Sequence, residues 1–367
     1  MNGTEKILML KPRTYLQIDS KALVSNFNFI KSKLPYDVAL MCVVKADCYG
    51  HGGECIKILS DAGAEHFAVS SLDEALEART HTDGDILILS YTNPDDISYV
   101  IDGNIIQTVY SVEYAELLSA CIPDGKKLRV HIKIETGMNR LGFGCDDKDG
   151  LSYVINSPKF KVEGVFTHFA RADERDKTEC SHQLEKFEKA KKLISSLTDK
   201  ALVYHCANSG AILDLPSSLV GMARAGIVLY GFPPSDEVSG EGLSPVMKFV
   251  STVVHIHELE KGDAVSYGGD FKADKKMTVA TVACGYGDGI SRRFTGAYIK
   301  INGHRVRVIG RVCMDHFMVD VTDMEEKPRV GDEAVVFDDA AEYAEHIGTI
   351  PYECMCAVSK RVKRIYI

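Results

Sequence analysis

Val43-Val44-Lys45-Ala46-Asp47-Cys48-Tyr49-Gly50-His51-Gly52 joins two unlike kinds of sequence. Ahead of the lysine runs an apolar segment, Val38 to Val44, relieved only by a thioether and a thiol. That is the pattern of a β-strand buried on both faces. Behind it the chain turns to Gly, His and Gly. A lysine at the mouth of a buried strand is partly desolvated, which disfavours its ammonium form and leaves a nucleophilic amine. The same position also suits a lysine that snorkels to solvent, so its meaning depends on what gathers around it.

Strand and helix signals alternate on either side of this stretch. Thr14 to Ile18 reads as a strand behind Pro12. Leu23, Phe27, Ile30 and Leu34 then recur at helical spacing, with Asp19 or Ser20 as N-cap. Ile56 and Leu59 mark a helix, Phe67 to Val69 a strand, and Ser71-Leu72-Asp73-Glu74 a capping box opening the next helix. Strands are predicted at Ile86 to Leu89, Ile105 to Val109, Leu128 to Ile134, Val162 to Phe166 and Leu202 to His205, with Ile227 to Tyr230 as one more. The longest helix carries Leu184, Phe187, Ala190, Ile194 and Leu197 on one face. Alternation of this kind predicts an α/β fold with a parallel sheet. About 230 residues with roughly eight or nine strands fit a TIM-type (β/α)8 barrel better than a doubly wound sheet. One strand is surplus, and the first, Thr14 to Ile18, is expected to leave the barrel for the remainder of the chain.

The pattern changes at Phe232-Pro233-Pro234-Ser235-Asp236-Glu237, a polar, proline-rich linker. Beyond Pro245 strand follows strand. Ile299-Lys300-Ile301 and Arg305-Val306-Arg307-Val308 alternate around Asn302-Gly303, a type I′ hairpin signal. The expected domains are therefore a barrel over 1–235, with 1–18 assigned to the second domain if the first strand leaves, and a mainly antiparallel β domain over 236–367.

Composition narrows the partners. The chain has 367 residues, a net charge of −9, 45% apolar and 26% charged residues. No basic stripe favours nucleic acid, and no apolar run reaches membrane-spanning length. Ile7 to Leu10, within Met1 to Lys11, is too short for a signal peptide. The 11 cysteines are scattered without a CxxC pair. Cys42, Cys55, Cys206 and Cys284 fall in apolar patterns and read as core residues, which points to the reducing cytoplasm. His255 and His257 share a strand face with no third ligand, so no metal is expected.

In a barrel, chemistry gathers where strands end. Strand ends supply Lys45 and Tyr49, Lys133 through Arg140, His168, Asn208-Ser209-Gly210, and Arg224-Ala225-Gly226-Ile227. Asn-Ser-Gly, behind the chain's eighth strand, offers a hydroxyl and open backbone N–H groups where barrels bind phosphate. A lysine opposite a phosphate site suggests pyridoxal phosphate held as a Schiff base, with Arg224 facing the ring nitrogen.

Together these motifs resemble the alanine racemase family, the fold-type III pyridoxal-phosphate enzymes, along nearly the whole chain. Further matching segments are Lys133-Ile134-Glu135-Thr136-Gly137-Met138-Asn139-Arg140, Thr167-His168-Phe169-Ala170, Ala207-Asn208-Ser209 and Tyr230-Gly231. The β domain adds Val265-Ser266-Tyr267-Gly268, Gly285-Tyr286-Gly287-Asp288-Gly289, Arg311-Val312-Cys313-Met314-Asp315 and Tyr352-Glu353. The resemblance implies Lys45 as cofactor lysine and one base, and Tyr267 as the other base, reaching in from the second subunit of a homodimer. It implies Arg224 on the pyridine nitrogen, with His168 linking it to Tyr267. Tyr49, Ser209, the backbone of Gly226 and Ile227, and Tyr352 would hold the phosphate. Arg140 and the partner's Met314 backbone would hold the substrate carboxylate, with Lys133, carbamylated in some members, orienting Arg140. Tyr286, Cys313 and Asp315 would be supporting residues: Tyr286 lines substrate entry or caps a strand, and Asp315 positions Tyr267 or caps a turn. Cys48, Glu135 and Lys363 depart from the family pattern without removing a catalytic group.

The implied reaction is L-alanine to D-alanine and back, supplying D-alanine for peptidoglycan. Loss of the α-proton leaves a planar carbanion, so racemisation needs a base on each face. Lysine and tyrosine have reference pKa values near ~10.4 and ~10 and need activation. A cationic Arg224–His168 neighbourhood is expected to help Tyr267. Serine is the rival substrate. A non-catalytic pyridoxal-phosphate-binding protein is the rival class, against which the β domain speaks, and a fold-type III decarboxylase or aldolase is a third reading.

Overall fold

The computed structural model describes residues 12–367; the reading of Met1 to Lys11 lies outside the described residues. Contacts divide the chain into two units, residues 22–244 and residues 245–367 together with the first segment of the chain.

The first described elements are β1 (Tyr15–Ile18) and α1 (Ser20–Ser32), whose Leu23, Phe27 and Ile30 are buried. Parallel strands follow: β2 (Ala39–Val43), β3 (His66–Val69), β4 (Asp85–Ile88), β5 (Ile106–Val109) and β6 (Leu128–Glu135) with the side branch β7 (Phe143–Gly144). Then come β8 (Phe160–Phe166), β9 (Val203–His205) and β10 (Met222–Ala225). Between them lie α2 (Glu54–Asp61), α3 (Leu72–Arg79), α4 (Ile97–Asp102), α5 (Val112–Cys121), α6 (Lys148–Asn156), α7 (Thr178–Leu197) and α8 (Ser209–Asp214). The sheet runs β10-β2-β3-β4-β5-β6-β8-β9. Its two ends also meet, since Arg224 N–H donates to Ala207 O at 3.0 Å. The result is a nearly closed eight-stranded parallel barrel. Strands such as β5, Ile-Gln-Thr-Val, are buried at every residue because helices cover their outer face.

Two expectations need correction here. Ile227 to Tyr230 is a 3₁₀ turn, and the last barrel strand is Met222–Ala225. A short apolar run is equally consistent with a buried turn, while the arginine inside β10 obscures the strand pattern. Because β1 pairs elsewhere, Asn208-Ser209-Gly210 follows the barrel's seventh strand rather than its eighth.

The remaining strands are β11 (Met247–Leu259), β12 (Ala264–Val265), β13 (Phe271–Lys272), β14 (Met277–Val282), β15 (Tyr298–Ile301), β16 (His304–Ile309), β17 (Phe317–Asp320), β18 (Glu333–Phe337) and β19 (Lys363–Tyr366). β12 and β13 pair with each other as a separate two-stranded sheet; the others join β1 in a sheet of order β14-β17-β16-β15-β18-β11-β1-β19, in which β14 also pairs with β11. β1 lies antiparallel to β11 (Tyr15 opposite Val250) and parallel to β19 (Tyr15 opposite Lys363). Every other pair in this sheet is antiparallel. Asn302 and Gly303 have φ of +49° and +80° between paired Ile301 and His304, the type I′ turn read from the sequence. Leu259, Val265, Met277, Val279 and Ile309 pack together as part of its core. The strand-after-strand reading missed α9 (Ala340–Ile347) and α10 (Pro351–Cys356). Their signals were present: Asp339 caps α9 through Ala341 N–H, Gly348 ends it in the left-handed region, and Pro351 opens α10.

Candidate active site

Lys45 follows β2 directly. The ladder to β3 ends with Val44 N–H donating to Ala68 O at 2.8 Å. Ala46, Asp47, Cys48 and Tyr49 then all take φ of +53° or +54°. They make one turn of left-handed helix, closed by Cys48 N–H to Val44 O at 3.0 Å and Gly50 N–H to Ala46 O at 2.9 Å. Each L-residue there costs about 1–2 kcal/mol against the right-handed form. The stretch carries no glycine inside the turn, so nothing in the sequence announces it. Packing holds it in place. Tyr49 is buried and stacks on Tyr230 at 4.9 Å between ring centres, and Tyr230 Oη donates to Val43 O at 3.2 Å. Cys48 is fully buried, and burial first, then its neighbour Cys55, pushes its thiol well up. It is an inert core thiol.

Arg224, on β10, is only 3% exposed, and no carboxylate accepts any of its hydrogen bonds. Its Nη1 donates to His205 Nδ1 (2.8 Å) and His205 O (3.3 Å). Its Nη2 donates to Thr167 O (2.7 Å), Cys206 O (3.1 Å) and His168 Nδ1 (3.3 Å). Since His205 accepts at Nδ1, its Nε2–H must donate onward to His131 Nδ1, 3.0 Å away. A Cβ on Gly164 would lie 2.6 Å from the His131 ring, so only glycine leaves room for it. Burial pushes His131 down to about 4, and burial plus the Arg224 cation pushes His168 and His205 well down. All three imidazoles are therefore neutral near pH 7, and Arg224, lowered by burial to about 10, remains the cation. The expected cationic Arg224–His168 pair is thus a cationic arginine with a neutral histidine. Arg224 Nε–H has no hydrogen-bond partner among the described residues.

Ser209 opens α8, and its Oγ accepts from Gly226 N–H at 2.9 Å. A Cβ on Gly226 would lie 2.7 Å from Tyr49 Oη and 3.6 Å from Ser209 Oγ, so the glycine keeps both hydroxyls close to the backbone of Gly226 and the buried Ile227. Asn208 fixes this corner, accepting from Ala211 N–H at 3.1 Å and donating to Phe169 O at 3.3 Å. Lys133 is buried; its Nζ donates to Ile134 O at 2.8 Å and lies 5.6 Å from the Phe166 ring centre. Burial pushes it down to about 7, opposed by Glu135 and assisted by the cations Arg224 and Arg140. Glu135 accepts from Gly137 N–H (2.5 Å) and Arg140 N–H (3.2 Å), which shapes the loop presenting the exposed Arg140. Gln183 on α7 donates to His168 O and Thr136 Oγ1 and accepts from Ala170 N–H, tying the loops after β6 and β8.

The barrel unit thus brings together Tyr49, Ser209, Gly226 and Ile227 at one corner and His168 with Arg224 at another. His131, His205 and Gln183 were missed. Period-two alternation along β6 does place His131 on the same face as Lys133, but a histidine inside a strand reads first as a core residue.

In the other unit Tyr267 is 70% exposed and follows Ser266, at φ +65°, ahead of Gly268 and Gly269 at +79° and +59°. Ser266 Oγ donates to Arg311 O at 2.6 Å and sits 3.4 Å from Cys313 Sγ, while Arg311 Nε donates to Asp270 Oδ2 at 2.6 Å. Tyr286 N–H and Gly287 N–H donate to Cys313 O and Met314 O at 3.0 and 2.9 Å, zipping two loops together. Buried Asp288 accepts from Gly285 N–H and Arg361 Nε, and Arg361 also donates to Asp315 at 2.9 Å. Asp315 pairs with Arg361 at 2.9 Å and with Arg13 at 3.7 Å. Tyr352 rides the first turn of α10. Among the described residues no three His, Cys, Asp or Glu side chains form a metal-holding group, and His255 and His257 simply stack at 5.1 Å.

The family models "Alanine racemase, N-terminal domain" and "Alanine racemase, C-terminal domain" match residues 18–234 and 246–366. The chain belongs to the alanine racemase family. It is 37% identical to an alanine racemase of Clostridium novyi, with 98% of this chain and 96% of that one covered. Against an alanine racemase of Clostridium perfringens the identity is 40%, covering 96% and 95%. The crystal structure of Clostridium difficile alanine racemase superposes with a TM-score of 0.93 at 36% identity, covering 98% and 96%. That of Bacillus anthracis alanine racemase with bound L-Ala-P gives 0.91 at 32%, again covering 98% and 96%. Both regions that the alanine racemase models match carry the residues described above. Among the described residues no helix is long and apolar enough to cross a membrane.

Proposed function

We propose that this chain is a pyridoxal-phosphate-dependent alanine racemase, working as a cytoplasmic homodimer and supplying D-alanine for peptidoglycan. The observation that carries the reading is Arg224: a buried guanidinium held by neutral acceptors, with one N–H left for a ring nitrogen. Tyr49 Oη and Ser209 Oγ, gathered at the backbone of Gly226 and Ile227, fit a phosphate, and Lys45 stands at a strand end of the same barrel. All eleven cysteines are free thiols, which suits a reducing compartment.

Bound pyridoxal phosphate would supply an electron sink for the charge left by loss of the α-proton. Arg224 would face the pyridine nitrogen and, as a cation, would disfavour its protonation. That would weaken the electron sink and favour simple proton transfer over decarboxylation or transamination. Lys45 Nζ and Tyr267 Oη serve as bases on opposite faces. One accepts the α-proton, the other returns a proton to the far face, and the roles exchange in the reverse direction. Tyr267, Tyr286 and Met314 are exposed on this chain, which supports their use across a dimer contact. Arg140 and the Met314 backbone receive the carboxylate, and Lys133 orients Arg140. The lysine's value of about 7 makes the neutral amine that carbamylation requires available at physiological pH. Met314 and Tyr352 crowd the side-chain space and favour methyl over hydroxymethyl, though one added hydroxyl is rejected only modestly.

The test is chiral chromatography of purified protein incubated separately with L-alanine and L-serine. Alanine racemisation exceeding that of serine is expected. No racemisation of either, with cofactor absorbance that Lys45→Ala abolishes, would leave a binding protein instead.

A further inference from the structure

Glu74 does not complete the capping box that its spacing predicts. Its N–H donates to Ser71 Oγ at 3.4 Å, so the N-terminus of α3 is capped, but its carboxylate turns outward from that helix. Oε1 accepts from Ala46 N–H and Oε2 from Ser70 N–H, each at 2.7 Å. Those N–H groups stand just past the point where β2 and β3 part, one step beyond the ladder bond from Val44 N–H to Ala68 O. The carboxylate bridges the two segments just beyond the end of their backbone ladder. It does so at Ala46, the first residue of the left-handed turn.

We propose that Glu74 is a positioning residue for Lys45, holding the left-handed turn that sets the direction in which the lysine leaves β2. The proposal rests on the reading that Lys45 carries the cofactor and moves a proton. Lys45 lies between two anchored N–H groups, Val44 tied to β3 and Ala46 tied to Glu74. With the second anchor removed, the Ala46 N–H loses its carboxylate acceptor at the start of the turn. The four residues after Lys45 gain by relaxing toward right-handed backbone. Such a relaxation rotates the Cα–Cβ bond of Lys45. A misplacement of about 1 Å at a reacting group lowers rate by about 10²-fold.

Four holoenzymes test this: wild type, Glu74→Ala, Glu74→Gln, and Glu74→Ala combined with Ala46→Gly. Two readouts are taken: kcat and KM on L-alanine, and the rate at which apo-chain Lys45 is labelled by pyridoxal phosphate and borohydride, read from the mass of its peptide. Glu74→Ala is expected to lower kcat by about 10- to 100-fold with KM little changed, and to slow Lys45 labelling. Glutamine keeps one accepting oxygen and falls between. Glycine takes positive φ without steric cost, so Ala46→Gly recovers most of both losses. Unchanged kcat in Glu74→Ala overturns the proposal. So does a loss that Ala46→Gly leaves untouched, because Glu74 would then only anchor α3 to β3. Should Glu74→Ala not fold, Glu74→Gln with and without Ala46→Gly carries the same comparison. A wild type that racemises nothing defeats the functional reading instead, and the labelling rates still decide the role of Glu74.

Discussion

The turn after Lys45 and the turn around Tyr267 solve one problem in opposite ways. Both hold non-glycine residues at positive φ, Ala46 to Tyr49 in the first and Ser266 in the second. The lysine turn is locked from within: Tyr49 on Tyr230, Tyr230 on Val43, and Glu74 on Ala46. The tyrosine turn has its backbone clamped by Ser266 and the Arg311–Asp270 pair, yet its phenol points into solvent. One group is fully determined by its own chain. The other is rigidly presented but exposed, which suits the proposal that it acts across a subunit contact. Strain persists only where the surroundings over-determine it, and here the surroundings are the barrel core in one case and two side-chain bonds in the other.

The largest effect should come from Lys45→Ala. Racemisation falls at least about 10³-fold and the cofactor's visible absorbance disappears, because one residue supplies both attachment and a base. Retained absorbance at full strength would break the contrast by showing that attachment lies elsewhere. Tyr267→Phe should cost about 10²- to 10⁴-fold in kcat while absorbance and thermal unfolding stay near wild type. A parallel loss of cofactor would mean that the tyrosine turn also builds the cofactor site.

Arg224→Glu should lower alanine racemisation and raise alanine-dependent transamination, measured as pyruvate formed per racemisation event. An unchanged ratio would count against the arginine as a restraint on the ring.

A smaller effect concerns pH and separates the two units. His131 titrates near 4 in the folded chain and near 6.5 when exposed, so between those values the unfolded chain binds more protons. His168 and His205 are lowered too. Each contribution is complete above pH 6.5 and is lost as pH falls below it, for His131 toward 4. Urea midpoints should therefore decline across that window, and His131→Asn should flatten the decline. Lys133 acts in the same direction at higher pH: in carbon-dioxide-free buffer, stability rises from pH 7 toward 10.5.

Much of the site is legible because a barrel strand delivers its last residue to one face. Lys45 and Ser209 need only strand ends to be found, and Asn302-Gly303 needs only turn chemistry. Other features are illegible for definite reasons. Ile227 to Tyr230 is apolar through burial rather than through pairing, so periodicity misassigns it. His131 and His205 look like ordinary core histidines until Arg224 is seen between His205 and His168. Glu74 sits at capping-box spacing, and only the fold reveals that its carboxylate serves a neighbouring strand.

The sequence by itself determined the barrel, the β-rich second part, the family, and the residue types on which the chemistry depends. These follow from local periodicity, turn propensities and side-chain chemistry, which act over a few residues. Tertiary structure alone decided the handedness of the lysine turn, the neutrality of the three imidazoles around Arg224, and the partner of Glu74. Each of these is an outcome of burial and of contacts between strands distant in sequence. Local preference for the right-handed form opposes the turn, the reference pKa of histidine leaves its charge open, and the capping motif names a different acceptor for Glu74.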